Sequence, residues 1–132
     1  MAEQTGHAVS ALQESLRPLL EADGILGGML CTEDGLPLAS ALTPGLDEES
    51  LAAAGARIGQ LSRHQLGDED LEAGVLDASR LRLVVAPVSL GYLVLAADPA
   101  APIGPAVELA KQLAAVIEQT AEETAVGDAR RP

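Results

Sequence analysis

Apolar residues recur along this chain at two spacings, one typical of helices and one typical of strands. Between Ala8 and Ala22 they stand three or four positions apart, which predicts an amphipathic first helix. Pro18 interrupts the pattern, because its ring cannot continue a regular helix. Asp23-Gly24 then ends the helix, since glycine accepts the left-handed conformation found after helix ends.

Two short apolar segments follow this helix. Ile25–Cys31 is too short for a typical helix, so the segment predicts a buried strand. After the turn signal Glu33-Asp34-Gly35, residues Leu36–Ser40 predict a second strand in a hairpin with the first. Pro37 cannot donate a ladder hydrogen bond, and we therefore expect the second strand at an edge of the sheet.

A longer helical pattern extends from Glu48 to about Leu66 and begins with the acids of Asp47-Glu48-Glu49. One face carries Leu51, Ala54, Ile58, Leu61 and Gln65, and its four apolar residues are predicted to contact the sheet. The opposite flank consists of small residues: Ala52, Gly55, Ala56 and Gly59. Two glycines inside a helix cost roughly 1 kcal/mol each relative to alanine. Close approach of another backbone would offset this cost, either the chain's own sheet or the same helix of a second subunit.

Three more strands and a final helix complete the predicted order. Leu71–Leu76 and Leu81–Val88 predict strands, and Tyr92–Ala97 is apolar throughout, which favours a central position in the sheet. Pro105 suits the start of the last helix, which is predicted to end near Glu123.

The order of elements is helix, two strands, helix, three strands, helix. Because short turns join neighbouring strands, the expected fold is α+β, a five-stranded antiparallel sheet sandwiched between helices. We expect a flexible N-terminus over residues 1–7, one domain over residues 8–123 and a disordered tail over residues 124–132.

Composition excludes several classes of ligand. The formal net charge of the 132 residues is −12, so nucleic acid and anionic lipid surfaces would be repelled. Tyr92 is the only aromatic residue, which disfavours stacked bases and flat cofactors. One cysteine, Cys31, fits a reducing compartment, and no apolar run reaches the ~20 residues of a membrane span. We therefore expect a cytoplasmic protein that neither binds nucleic acid nor inserts into a membrane.

Candidate catalytic and metal-binding residues are few. His64 stands near the end of the middle helix, and Ser62 and Ser79 have no evident base beside them. Cys31 is isolated in a predicted strand, where a buried inert thiol is the simpler interpretation. Gly27-Gly28 is not followed by the Lys-Ser/Thr of a phosphate loop. We expect no catalytic residues, no metal and no cofactor.

A dimer interface is the more informative hypothesis. The small-residue flank of the middle helix and the strand after it would face a second subunit across a two-fold axis. The predicted interface residues are Leu51, Ala52, Gly55, Ala56, Gly59, Ser62, Leu71, Ala73 and Val75. The alternative is that the flank packs only on its own sheet. Arg57 and Arg63 stand out in an acidic chain, either as solvated charges or as contacts to an acidic or phosphate-bearing partner.

Several local patterns resemble the roadblock/dynein light chain family, including its bacterial MglB-type regulators. The pattern over residues 8–120 combines Asp23-Gly24-Ile25, the turn Asp34-Gly35-Leu36 and an alanine-rich helix that begins Leu51-Ala52-Ala53. Leu81–Val88 and Gly91–Ala97 then precede the last helix. The resemblance implies a roadblock/profilin-like sheet with one helix on one face and two on the other.

The resemblance also implies a function. Family members dimerise through the middle helix and the following strand, and the dimers bind Ras-like small GTPases on the helix side without supplying an arginine finger. Mapped onto this chain, the dimerising elements are Glu48–Leu66 and Leu71–Leu76, and we expect four residues of the middle helix to contact the GTPase: Arg57, Gln60, Arg63 and His64. We expect a homodimeric, non-catalytic module that binds a small GTPase. It would activate GTP hydrolysis, assist nucleotide exchange, or serve as a scaffold. The alternatives are a small-ligand sensor with an internal cavity, or a protein-interaction domain without a GTPase partner.

Overall fold

The computed structural model describes the backbone of residues 10–66 and 73–129, and the side chains of residues 10–65 and 73–120. Residues 10–16 form helix α1, which continues as the 3-10 helix Arg17–Glu21. The other elements follow in the order β1 (Ile25–Cys31), β2 (Pro37–Leu42), α2 (Glu48–Leu66), β3 (Gly74–Asp77), β4 (Arg82–Val88), β5 (Gly91–Ala97) and α3 (Ile103–Ala129). The predicted order of elements is confirmed.

The five strands form one antiparallel sheet in the order β2-β1-β5-β4-β3. β5 is central, as its continuous apolar sequence predicted, and all seven of its residues are buried. β2 lies at one edge, where the missing N–H of Pro37 breaks no ladder. β3 forms the other edge and pairs with β4 alone among the described strands.

Two apolar layers cover the two faces of this sheet. On one face α1 and α3 pack together over the sheet, with Leu16, Ala110 and Ile117 fully buried. On the other face α2 packs alone, against side chains that include Met29 and Val85. The expected arrangement of one helix on one face and two on the other is confirmed.

Local signals account for where the helices begin and end. α1 changes to a 3-10 helix beside Pro18, and the chain turns at Gly24, whose φ is +78°. The Asp47 carboxylate caps α2 by accepting hydrogen bonds from the hydroxyl and the backbone N–H of Ser50, the latter at 3.1 Å. These hydrogen bonds stabilise the charged form and lower the pKa of Asp47.

Some predicted boundaries were wrong. β2 extends to Leu42, two residues past its predicted end, because Ala41 and Leu42 continue the pairing with β1. α3 begins at Ile103 rather than Pro105 and continues to Ala129, past the predicted end near Glu123 and into the segment predicted to be disordered. The added residues 124–129 include the weak helix formers Thr124, Val126, Gly127 and Asp128, so helix propensity alone does not explain the extension. The predicted flexible segment 1–7 lies outside the described residues.

Candidate protein-binding surface

The inner face of α2 carries its small residues. Gly55 lies so close to the sheet that a Cβ added there would stand 2.2 Å from Val94 Cγ2. A Cβ added at Gly59 would stand 2.3 Å from Cε1 of the Tyr92 ring. Both glycines are buried, and the neighbouring Ala52 and Ala56 are almost completely buried as well. The glycines therefore let α2 approach its own sheet closely.

This arrangement contradicts the predicted faces of α2. The interface predicted for a second subunit included five residues that are buried within the fold: Leu51, Ala52, Gly55, Ala56 and Gly59. The alternative interpretation, packing on the chain's own sheet, is the correct one for this flank. Of the remaining predicted interface residues, Ser62 and Ala73 are half-buried and Val75 is exposed, whereas Leu71 lies outside the described residues.

The outer face of α2 is a stripe of exposed residues spaced three or four positions apart: Ala53, Arg57, Gln60, Leu61 and His64. Arg57 and His64 make no ion pair or hydrogen bond with any described residue. Two predicted contact residues thus lie on the same face of α2, about two helical turns apart, and both are exposed to solvent. The stripe carries the positive charge of Arg57 and is therefore cationic, on a protein whose net charge is −12.

The other two predicted contact residues bind the β1–β2 turn instead. Gln60 Nε2 donates to the Glu33 backbone oxygen at 2.8 Å, and Arg63 Nη1 pairs with Glu33 Oε1 at 3.3 Å. The Arg63 guanidinium also lies 5.0 Å from the centre of the Tyr92 ring. Burial raises the pKa of Tyr92, and the positive charge of Arg63 partly offsets this. Gln60 and Arg63 hold the turn against α2.

Several solved structures share the fold of this chain. A MglB with tetrameric arrangement has a TM-score of 0.71 at 25% identity, over 89% of this chain and 92% of that one. MglB of Myxococcus xanthus has a TM-score of 0.71 at 20% identity, over 88% of this chain and 91% of that one. The roadblock/LC7 domain from Streptomyces avermitilis has a TM-score of 0.70 at 20% identity, over 81% of this chain and 94% of that one. The chain has the roadblock fold. A scan against protein-family models gave no match, and no curated protein matched the sequence.

One flank of α2 in this roadblock domain is apolar and only partly covered. Ala54 and Ile58 are half-buried, and Leu61 is 52% exposed. The flank lies beside β3, since a Cβ on Gly74 would stand 3.4 Å from Ile58 Cγ2. Leu76, two residues on and therefore on the same side of the strand, is 45% exposed. Exposed leucines beside an unpaired strand edge are typical of an interaction surface.

The apolar flank and Glu33 are the features that the sequence interpretation missed. Ile58 and Leu61 had been predicted to face the sheet, and Glu33 had been treated only as part of a turn. One signal could have corrected the faces. The single aromatic residue, Tyr92, requires more space than any other side chain in the central strand, and small residues in a helix provide that space.

The interior of the roadblock domain offers little chemistry among its described residues. Apart from Cys31 and Tyr92, none of their side chains with polar atoms is buried, and no group of three or more His, Cys, Asp or Glu residues could hold a metal ion. Burial raises the pKa of the Cys31 thiol to about 11. The described helices include none long and apolar enough to span a bilayer. A ligand sensor would need convergent buried polar groups, which this part of the chain lacks.

Proposed function

We propose that this chain is a non-catalytic binding module that docks and regulates a Ras-like small GTPase. The roadblock fold shared with MglB proteins carries the proposal. The outer face of α2 supports it, because Arg57 and His64 are exposed, unpaired among described residues and surrounded by an acidic protein. A cationic stripe of this kind suits an acidic partner surface, where complementary charge accelerates association.

The module acts as a homodimer. The revised interface consists of the apolar flank of α2, Ala54, Ile58 and Leu61, together with Leu76 and the free edge of β3. Pairing of two β3 edges across a two-fold axis would join the sheets and cover the exposed leucines. The two-fold rotation would bring the outer faces of the two α2 helices onto one side of the dimer, where they form a joint surface for the GTPase.

The dimer is tested by light scattering, since the chain has a mass of 13.5 kDa and a dimer has twice that. Leu61→Glu is expected to give a monomer, because a charge would be buried in the interface. Leu36→Glu is the matched control, since Leu36 is exposed in the β1–β2 turn, away from β3. A wild-type monomer at all accessible concentrations, or equal effects of the two substitutions, would contradict the proposed interface.

GTPase binding is tested with the small GTPase encoded nearest to this chain. Arg57→Ala and His64→Ala are each expected to weaken binding about three- to tenfold, as for exposed charge contacts worth about 1 kcal/mol. Arg17→Ala, on the opposite face of the sheet, should leave binding unchanged. Faster hydrolysis identifies an activator, faster nucleotide release an exchange factor, and binding without either a scaffold. Absence of binding to the GTPase would refute the proposed function.

A further inference from the structure

The free edge of β2 is blocked only at its start, by Pro37 and by a register shift in its pairing with β1 between Leu30 and Cys31. Exposed edges are commonly protected by charged residues, bulges or a covering segment. β2 spans six residues, Pro37–Leu42, and none of them is charged. Pro37 blocks one end only. By contrast β3, the opposite edge, has only four residues and ends in Asp77.

The strand register shows which backbone groups point outward. Thr43 N donates to Leu26 O at 2.9 Å, so these two residues form a hydrogen-bonded pair. Hydrogen-bonded pairs alternate along an antiparallel ladder, and Ala41 pairs with Gly28 two positions further on. Ala39 and Ala41 therefore direct their N–H and C=O groups toward β1. Ser40 and Leu42 direct theirs away from the sheet.

A cleft of about 450 Å³ borders the second half of this edge, residues 40–44, and has walls on both sides of it. On the α1 side its wall includes Leu20, which is 42% exposed. On the α2 side it includes the half-buried Leu46. Side chains of an added strand would alternate between the two walls, because successive residues of a strand point to opposite faces. The cleft thus has the shape that an extended segment needs.

Charge decides which occupant suits the cleft. Acids stand at both ends of β2, Glu33 and Asp34 before it and Asp47-Glu48-Glu49 after it. Glu33 is already paired with Arg63 at 3.3 Å, and Arg17, which lines the cleft, is paired with Glu14 at 3.1 Å. The other acids form no ion pair with a described residue: Asp34, Asp47, Glu48 and Glu49. Antiparallel pairing of β2 with a second copy would bring the acidic turn of one chain to the acidic helix start of the other. Like charges make that pairing unfavourable.

We infer that the β2 edge binds an extended segment of a partner protein, with an uncharged, β-prone centre and Lys or Arg residues at both ends. The segment adds a sixth strand beside β2, bonded to the outward backbone groups of Ser40 and Leu42. Its basic ends lie against the acids on either side of the strand. This surface is at the opposite edge of the sheet from β3, so it is separate from the proposed dimer interface.

The test uses a synthetic probe, the end-blocked peptide Lys-Arg-Val-Thr-Val-Thr-Val-Arg-Lys, and the full chain. Amide hydrogen exchange is followed by NMR with and without peptide. We expect at least tenfold slower exchange at the amides of Ser40 and Leu42, with those of Ala39 and Ala41 unchanged because β1 already protects them. A peptide with Glu at the basic positions should bind at least tenfold more weakly.

Variants separate backbone pairing from side-chain contacts. Ser40→Pro removes the outward N–H and should weaken peptide binding at least tenfold, whereas Ser40→Ala keeps the N–H and should change it less than twofold. Asp34→Lys combined with Glu49→Lys should weaken binding at least threefold and reduce its salt dependence. The exchange measurement on the wild-type chain stands even if Ser40→Pro does not fold.

Three outcomes would overturn the inference. The first is absence of saturable binding, or peptide binding that leaves the Ser40 and Leu42 amides unaffected. The second is protection of these amides that rises with protein concentration without peptide, which would mean that a second copy occupies the edge. The third is protection without peptide at every concentration, which would mean that the chain's own residues cover it. None of these outcomes bears on GTPase binding through the outer face of α2.

Discussion

Alanine substitutions at the two inner glycines of α2 test how closely this helix packs. An alanine Cβ at position 55 would stand 2.2 Å from Val94 Cγ2, and one at position 59 would stand 2.3 Å from the Tyr92 ring. Nonbonded carbons rest about 3.5–4.0 Å apart, so each contact requires a movement of roughly 1 Å or more. Both partners are 1% exposed and have nowhere to move without disturbing the sheet.

Two opposing effects set the expected magnitude. Replacing a helix glycine by alanine favours the helix by about 1 kcal/mol. Overpacking a filled core costs typically about 1–3 kcal/mol, sometimes more, and both neighbours here are stiff: valine is β-branched, and the tyrosine ring is rigid. We expect each of Gly55→Ala and Gly59→Ala to lower the free energy of unfolding by about 1–2 kcal/mol, because overpacking exceeds the gain in helix propensity.

The assay is urea denaturation at one fixed protein concentration, since dimerisation would make stability depend on concentration. Gly104→Ala is the matched control: Gly104 lies in the first turn of α3 and nothing stands within 4 Å of its added Cβ. That variant should be neutral or slightly more stable. Val94→Ala removes the methyl groups that an alanine at position 55 would contact. In that background Gly55→Ala should lower the free energy of unfolding by at least ~1 kcal/mol less than it does in the wild-type chain. Stabilisation by Gly55→Ala in the wild-type background would refute the close packing.

Three further predictions concern single interactions. At pH 8 the thiolate fraction of native Cys31 should be about 100-fold lower than in the unfolded chain, because its pKa of about 11 is two units above the ordinary value of 9.0. Alkylation of Cys31 should therefore be slow until the chain unfolds. The free energy of unfolding should fall as pH rises from 9 to 11, because only the unfolded chain ionises readily in this range. Asp47→Ala should lower the unfolding free energy by removing the cap of α2, and because the pKa of Asp47 is lowered, that difference should shrink as pH falls below 4. Arg82→Met should cost about 1–3 kcal/mol by urea denaturation, since Arg82 Nη1 donates to Ala101 O at 2.7 Å, whereas Arg80→Met should cost under ~0.5.

The sequence predicted the elements of the fold well because local signals determined them. The acids at Asp47-Glu48-Glu49 and the helical spacing located both ends of α2, and Pro37 located an edge strand. These signals act within a few residues of the chain. The extension of α3 was missed because its added residues include the weak helix formers Thr124, Val126, Gly127 and Asp128, which favour a helix end.

The faces of α2 could not be predicted in the same way. Each flank offers a regular stripe, one of larger aliphatic residues and one of small residues, and periodicity alone cannot say which meets the sheet. The choice depends on the opposing strand, where Tyr92 and Val94 fill the space that a larger helix residue would need. Such a match between residues far apart in the sequence becomes visible only when the strands are paired. The contact between Glu33 and Arg63 was missed for the same reason.

The two sides of α2 affect different equilibria: substitutions on its small-residue side should change folding stability, and substitutions on its apolar flank should change dimerisation. Because the glycines pack on the chain's own sheet, Gly59→Ala should destabilise a monomer as much as a dimer, and its effect should not depend on protein concentration. Leu61 lies on the outward flank, so Leu61→Glu should leave the unfolding free energy of the monomer within about 0.5 kcal/mol, as for most exposed positions, while weakening dimerisation. If instead Gly59→Ala dissociated the dimer and left monomer stability unchanged, the small-residue flank would be the interface after all. The packing of α2 described here would then be wrong.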